Sequence, residues 1–91
     1  LDPLLHSQLR LAVMSILLSA EEADFVYLRE KTEATGGNLS VQLDKLNTAG
    51  YLTIEKSFIG KKPHTTCRIT DKGRKAMADY VETLKSYLTG L

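Results

Sequence analysis

The chain has 91 residues, 43% of them hydrophobic and 25% charged, with 12 Lys and Arg against 11 Asp and Glu for a net charge of +1, and it has 1 cysteine. That length supports one small core, marginal enough that burial against a second copy would help, and no apolar run reaches the ~18 residues of a membrane span. A lone cysteine excludes an internal disulfide, and the N-terminus, which starts at Leu1 rather than methionine, lacks the pattern of a secretory signal, so a soluble cytoplasmic protein is expected.

Asp2 is placed to cap a first helix with Pro3 at its first position, from about Leu4 to Leu18, before Ser19-Ala20-Glu21-Glu22 breaks the apolar pattern. Asp24 caps a second helix carrying Phe25, Val26 and Leu28, which leads to a Thr35-Gly36-Gly37 turn. Asn38 is the expected N-cap of a third helix over about 38–49. Its Leu39, Leu43 and Leu46 share one face, and Gly50 stands where the chain must turn left-handed and stop. Two helices separated by a glycine turn are the pattern of a helix-turn-helix. The free side of the third helix carries Ser40, Val41, Asp44, Lys45 and Thr48, with Asn38 and Gln42 on the flank toward its start. Small and amide side chains in those first turns can enter a major groove and reach base edges.

Two half-buried strands follow. Leu52 and Ile54 alternate with Thr53 and Glu55 in Tyr51 to Phe58, and Cys67 and Ile69 alternate with Thr66 and Arg68 in Thr65 to Thr70. Between them Ile59-Gly60-Lys61-Lys62-Pro63-His64 reads as a turn whose lysines have no apolar neighbours to bury against. Between residues 56 and 75, Lys56, Lys61, Lys62, Arg68, Lys72, Arg74 and Lys75 oppose only Asp71, whereas acids predominate from Glu21 to Glu33. The near-neutral total therefore hides a basic hairpin. Thr70 then caps a last helix, Asp71 to about Leu88, with Asp71 at its positive end.

The stretch Leu43-Asp44-Lys45-Leu46-Asn47-Thr48-Ala49-Gly50-Tyr51-Leu52, the basic hairpin, and Arg68-Ile69-Thr70-Asp71-Lys72-Gly73-Arg74 resemble the small prokaryotic winged-helix transcriptional regulators of the MarR/ArsR/PadR-like group, over nearly the whole chain. The resemblance implies an α+β, mainly α fold: a winged helix-turn-helix with a two- or three-stranded wing sheet and extra N- and C-terminal helices, one domain over residues 1–91. It implies that Ala23 to Phe25 can add the third strand, and that there is no separate effector domain. The expected partner is double-stranded DNA. Asn38, Ser40, Val41, Gln42, Asp44 and Lys45 are the candidates in the major groove. Lys61, Lys62, His64 and Thr65 of a wing over about 56–66 are the candidates on the backbone or minor groove, and Arg68 either reaches phosphate or braces the wing against an acid.

The terminal helices are more apolar than one core requires. Leu5, Leu9, Ala12, Val13 and Ile16 form one stripe, Leu4, Leu11, Met14 and Leu18 a second, and the last helix carries Met77, Tyr80, Val81, Leu84, Tyr87, Leu88 and, beyond it, Leu91. Monomers seldom expose such stripes, so a homodimer is expected through Leu4, Leu11, Met14, Leu18, Met77, Tyr80, Leu84, Tyr87 and Leu88. The resemblance points to the same helices.

No nucleophile-base set, phosphate loop or carboxylate pair stands in a recognisable frame, so no enzyme is expected, and no cofactor. His6 and His64 lack partners at ligand spacing, which speaks against a metal, and Cys67 falls on the inward phase of its strand, where a thiol is buried and inert. The favoured function is a homodimeric, sequence-specific DNA-binding transcriptional regulator. The alternatives are a winged helix used for protein-protein interaction, for which Asp44 on the groove side argues, and a sensor of a small-molecule effector, for which no residue set argues.

Overall fold

The order of elements is α1 (Gln8–Ala20), β1 (Glu22–Asp24), α2 (Phe25–Thr32), α3 (Gly36–Thr48), β2 (Leu52–Ile59), β3 (Lys62–Ile69) and α4 (Asp71–Thr89). They come from a computed structural model that describes residues 1–90, so Leu91 lies outside the described residues. The strands form one antiparallel sheet in the order β1-β3-β2, and α1 packs against α2, α3, α4 and β3. This is the winged helix-turn-helix with terminal helices, and its sheet has three strands.

A side-chain cap stands at the start of each of the four helices. Asp24 accepts from the Tyr27 amide at 2.7 Å, and Thr70 accepts from the Gly73 amide at 3.0 Å, both as expected. Because Asp24 caps α2, β1 ends there and Phe25 is helical rather than the last strand residue. Gly50 has φ 81° and closes α3, again as expected.

Two starts differ from expectation. Asp2 does cap a turn, accepting from the Leu4 amide at 2.9 Å while its carbonyl accepts from His6 at 3.0 Å, but the turn does not propagate. Ser7 has extended backbone and caps α1 anew through the Arg10 amide, so the helix begins at Gln8 and not at Leu4. The break lets Leu5 drop fully into the core. In α3 the cap is Thr35, not Asn38: its hydroxyl accepts from the Asn38 amide at 3.2 Å, and Gly36 and Gly37 become the first helical residues.

The hairpin is tighter than expected. Ile59 pairs with Lys62 and Phe58 with Pro63, which leaves only Gly60 and Lys61 in the turn and places Lys62, Pro63 and His64 on β3. A two-residue turn whose first central residue has positive φ suits the strand twist, and Gly60, at φ 63°, is that residue. Bonded and unbonded pairs alternate along an antiparallel ladder, so Pro63, one step from the closing pair, has its missing N–H on the side away from β2. β1 pairs only with Thr66 to Arg68, and no ladder bond is lost there.

The core gathers Leu5, Val13, Met14, Leu17, Leu28, Leu39, Leu43, Leu46, Leu52, Cys67, Ile69, Met77 and Tyr80. Met14, Met77 and Tyr80, expected at a partner interface, are therefore already covered inside their own chain, since the bend before Ser7 and the approach of α4 close over them. Leu18, Val81, Tyr87 and Leu88 remain exposed on the terminal helices, with Leu11 and Leu84 half-buried. The molecule is 54 Å long against 25 and 21 Å across. No helix of the described residues is long and apolar enough to cross a membrane.

Candidate nucleic-acid interface

Leu39, Leu43 and Leu46 anchor α3 to the core, and that anchoring turns Ser40, Val41, Asp44, Lys45 and Thr48 outward, all exposed. Beside them stands the wing. Leu52 and Ile54 of β2 and Cys67 and Ile69 of β3 face inward, and the same phase carried outward along the ribbon presents Lys56 opposite Thr65, then Phe58 opposite Pro63. A cleft between helix and wing is lined by Phe25, Ser40, Leu43, Asp44, Ile54, Lys56 and Thr65. Ser40, Asp44 and Thr65, distant in sequence, are thus brought together, and Lys56 joins them.

The cations near the cleft are uncommitted. Among the described residues the ion pairs are Arg68 with Glu22, Arg74 with Glu21 and Lys75 with Asp79, so Lys45, Lys56, Lys61 and Lys62 are without a carboxylate partner. Lys61 and Lys62 stand exposed at the hairpin tip. His64 is half-buried on the opposite face of the ribbon from Lys56, where its carbonyl accepts from the Ser57 hydroxyl at 3.5 Å. Arg68 lies six residues behind Lys62, about 20 Å along the strand. Its Nη2 donates to Glu22 Oε2 at 2.9 Å, so it braces β3 to β1.

Gln42 and Asn38 stand apart from the cleft. The Arg10 guanidinium on α1 donates to Gln42 Oε1 and, through Nε, to the Leu4 carbonyl at 2.6 Å, while Gln42 Nε2 donates to Asn38 Oδ1 at 3.0 Å. Leu4 lies near the outer side of α3, lining a shallow patch with Val41, Asp44, Lys45, Thr48 and Ala49.

Two titrating groups are strongly perturbed. The Tyr51 hydroxyl donates to Asp2 Oδ2 at 2.5 Å, and this bond, aided by burial and by the Asp2 charge, pushes its pKa up to about 12. Lys72 Nζ sits 5.8 Å from the Tyr51 ring centre, so the segment before α1, the end of α3 and the start of α4 meet there. Burial pushes the Cys67 thiol up to about 11, which fits the inert role its strand phase suggests. Among the described residues no three His, Cys, Asp or Glu side chains gather as metal ligands do.

Lys56 enters the sequence reading only as one of the cations of the basic hairpin, and Phe58 and Arg10 do not enter it as site residues. Lys56 carries a legible signal, a cation on the inward phase of a strand. The exposure of Phe58 depends on the ribbon outrunning the body, and the reach of Arg10 to Gln42 depends on how α1 crosses α3, so neither has a local signal.

Comparison with known proteins agrees with the fold. Residues 9–88 match the family model of the winged helix DNA-binding domain. The chain is 37% identical over 76 residues to the uncharacterized protein MJ0432 of Methanocaldococcus jannaschii, covering 84% of this chain and 83% of that one. It superposes with TM-score 0.90 and 28% identity on the transcriptional regulator homologue protein from Pyrococcus horikoshii OT3, over 98% of this chain and 88% of the other. The transcriptional regulator BldR from Sulfolobus solfataricus shares the fold, with TM-score 0.73 and 23% identity over 92% of this chain and 59% of BldR.

Proposed function

The chain belongs to the winged helix DNA-binding domain family, and we propose that it is a homodimeric, sequence-specific transcriptional regulator of the small prokaryotic MarR/ArsR/PadR-like kind, a DNA-binding rather than a catalytic protein, with residues 1–91 working as one domain. The observation that carries this reading is the cleft in which Ser40 and Asp44 of α3 stand beside the unpaired Lys56 of the wing, with the exposed Lys61 and Lys62 farther out at the tip. With α3 in the major groove, Ser40 meets base edges as donor or acceptor, Val41 meets a thymine methyl, and Asp44 accepts from a cytosine amino group. Lys45, Lys56, Lys61 and Lys62 neutralise phosphates and set the register. Gln42 acts from the flank through its one amide hydrogen not given to Asn38, and Arg68 acts indirectly by stiffening the wing.

Pairing through the apolar residues of α1 and α4, chiefly the exposed Leu18, Tyr87 and Leu88 with the half-buried Leu11 and Leu84, would present two copies of α3 to successive major grooves about 34 to 36 Å apart and so read a palindrome. Repeated selection of bound duplexes from random DNA tests the proposal, with an inverted repeat as the expected product. Asp44, an acid in the middle of the α3 face, favours a second reading, a protein-interaction module, and a selection that enriches no sequence would replace the first reading with it.

A further inference from the structure

The wing tip combines two features that a purely electrostatic wing does not need. Phe58 is 71% exposed and Ile59 64% exposed, and Pro63, directly opposite Phe58, is exposed as well. They stand among Lys56, Lys61 and Lys62, and the chain carries no acid from residue 56 to residue 70. Large exposed apolar groups at the end of a ribbon are costly to leave in water unless something covers them.

The occupant follows from charge and shape. A second wing tip is a poor one, because it would bring lysine against lysine. An acidic surface that can open onto apolar groups is required, and the minor groove of a duplex is such a surface: phosphates line its rims, and the stacked faces of the bases lie behind the polar edges of its floor. The ribbon closes in the two-residue turn Gly60-Lys61, and the exposed ring of Phe58 beside it is thin enough for a groove about 6 Å wide to admit. Phe58 shares its face of the ribbon with Ile54 and Lys56, which line the cleft beside α3, and lies one strand repeat beyond Lys56, about 7 Å. A duplex that receives α3 in its major groove therefore meets Phe58 in the neighbouring minor groove.

We propose that Phe58, backed by Pro63, is an apolar wedge that enters the minor groove beside the α3 site and partly unstacks a base step, while Lys61 and Lys62 hold the flanking phosphates. This rests on the DNA-binding reading above and adds a specificity element to it: pyrimidine–purine steps open most easily, so such a step is preferred under the wing although no hydrogen bond reads it.

The test uses the full chain and a selected duplex carrying the fluorescent base aminopurine at the step under the wing, with binding measured in parallel by anisotropy of an end label. Unstacking raises aminopurine emission, so the wild-type protein is expected to raise it at saturation. Phe58→Ala, whose exposed position leaves the fold untouched, is expected to abolish the rise while binding persists. Phe58→Leu, which keeps a wedge, is expected to retain part of it. Wild-type binding with unchanged emission, or an equal rise from Phe58→Ala at saturation, overturns the wedge and leaves the DNA-binding reading standing. Absence of duplex binding by the wild-type protein overturns both.

Discussion

The guanidinium of Arg10 on α1 hydrogen-bonds the side-chain oxygen of Gln42 on α3. Gln42 thereby becomes part of the joint between the two helices. Replacing it by Ala leaves a half-buried cationic donor without its acceptor, so Gln42→Ala is expected to lower stability by about 1 kcal/mol. A double-mutant cycle with Arg10→Ala should return a coupling of similar size by denaturant unfolding. Sequence preference should respond more to Ser40→Ala, by about 1 to 3 kcal/mol between operator and random DNA, since Ser40 lines the cleft and makes no competing side-chain bond. A larger loss of preference from Gln42→Ala than from Ser40→Ala would reverse this assignment.

The wing lysines carry no sequence information in this scheme. Replacing Lys61 and Lys62 by Ala is expected to weaken binding to operator and random duplexes alike, and to reduce the slope of log affinity against log salt by about one unit per lost phosphate contact. A salt titration of both duplexes measures this, and an unchanged slope would take the tip away from the phosphates.

Gly73 lies in the first turn of α4, where an added Cβ would collide with the Tyr51 carbonyl oxygen and stand 3.0 Å from Met14 Cε. The Tyr51 carbonyl is fixed, because it accepts from the Thr70 amide at 3.1 Å. Alanine is usually the better helix former by about 1 kcal/mol, yet here α4 would have to move off the core, at a cost of about 1 to 3 kcal/mol. Gly73→Ala is thus expected to lower the melting temperature despite its helix propensity.

The Tyr51 phenol, raised from 10.0 to about 12, holds its proton more tightly in the folded chain than in the unfolded one. Its contribution to stability is therefore fully present below about pH 10 and is lost as the pH climbs toward 12. Ultraviolet titration should show a late phenol, and Tyr51→Phe should remove it. An unchanged late titration in that variant would assign the shift elsewhere.

Leu88 is 76% exposed and makes no part of the core, so charging it tests pairing without disturbing the chain's own fold. Leu88→Glu is expected to shift a sedimenting dimer to monomer and to weaken binding of a palindrome far more than of a half-site. A wild-type protein that sediments as a clean monomer at micromolar concentration would refute the dimer.

What the sequence determined by itself was set within a few residues: the caps at Asp24 and Thr70, the leucine face of α3, the stop at Gly50, the alternation along both strands, and a basic hairpin following a helix with a polar outer face. These depend on local hydrogen bonds and on periods of 3.6 and 2, which any short window contains. The tertiary structure chose between competing local signals, Ser7 over Asp2 for α1 and Thr35 over Asn38 for α3, with Leu5 and Leu39 both fully buried in the result. It also divided the apolar residues of the terminal helices, burying Met14, Met77 and Tyr80 while leaving Tyr87 and Leu88 in solvent, and it carried Phe58 out to the wing tip. Whether an apolar side chain is covered depends on what crosses it from elsewhere in the chain, and that is a property of the assembled layers rather than of any one helix or strand.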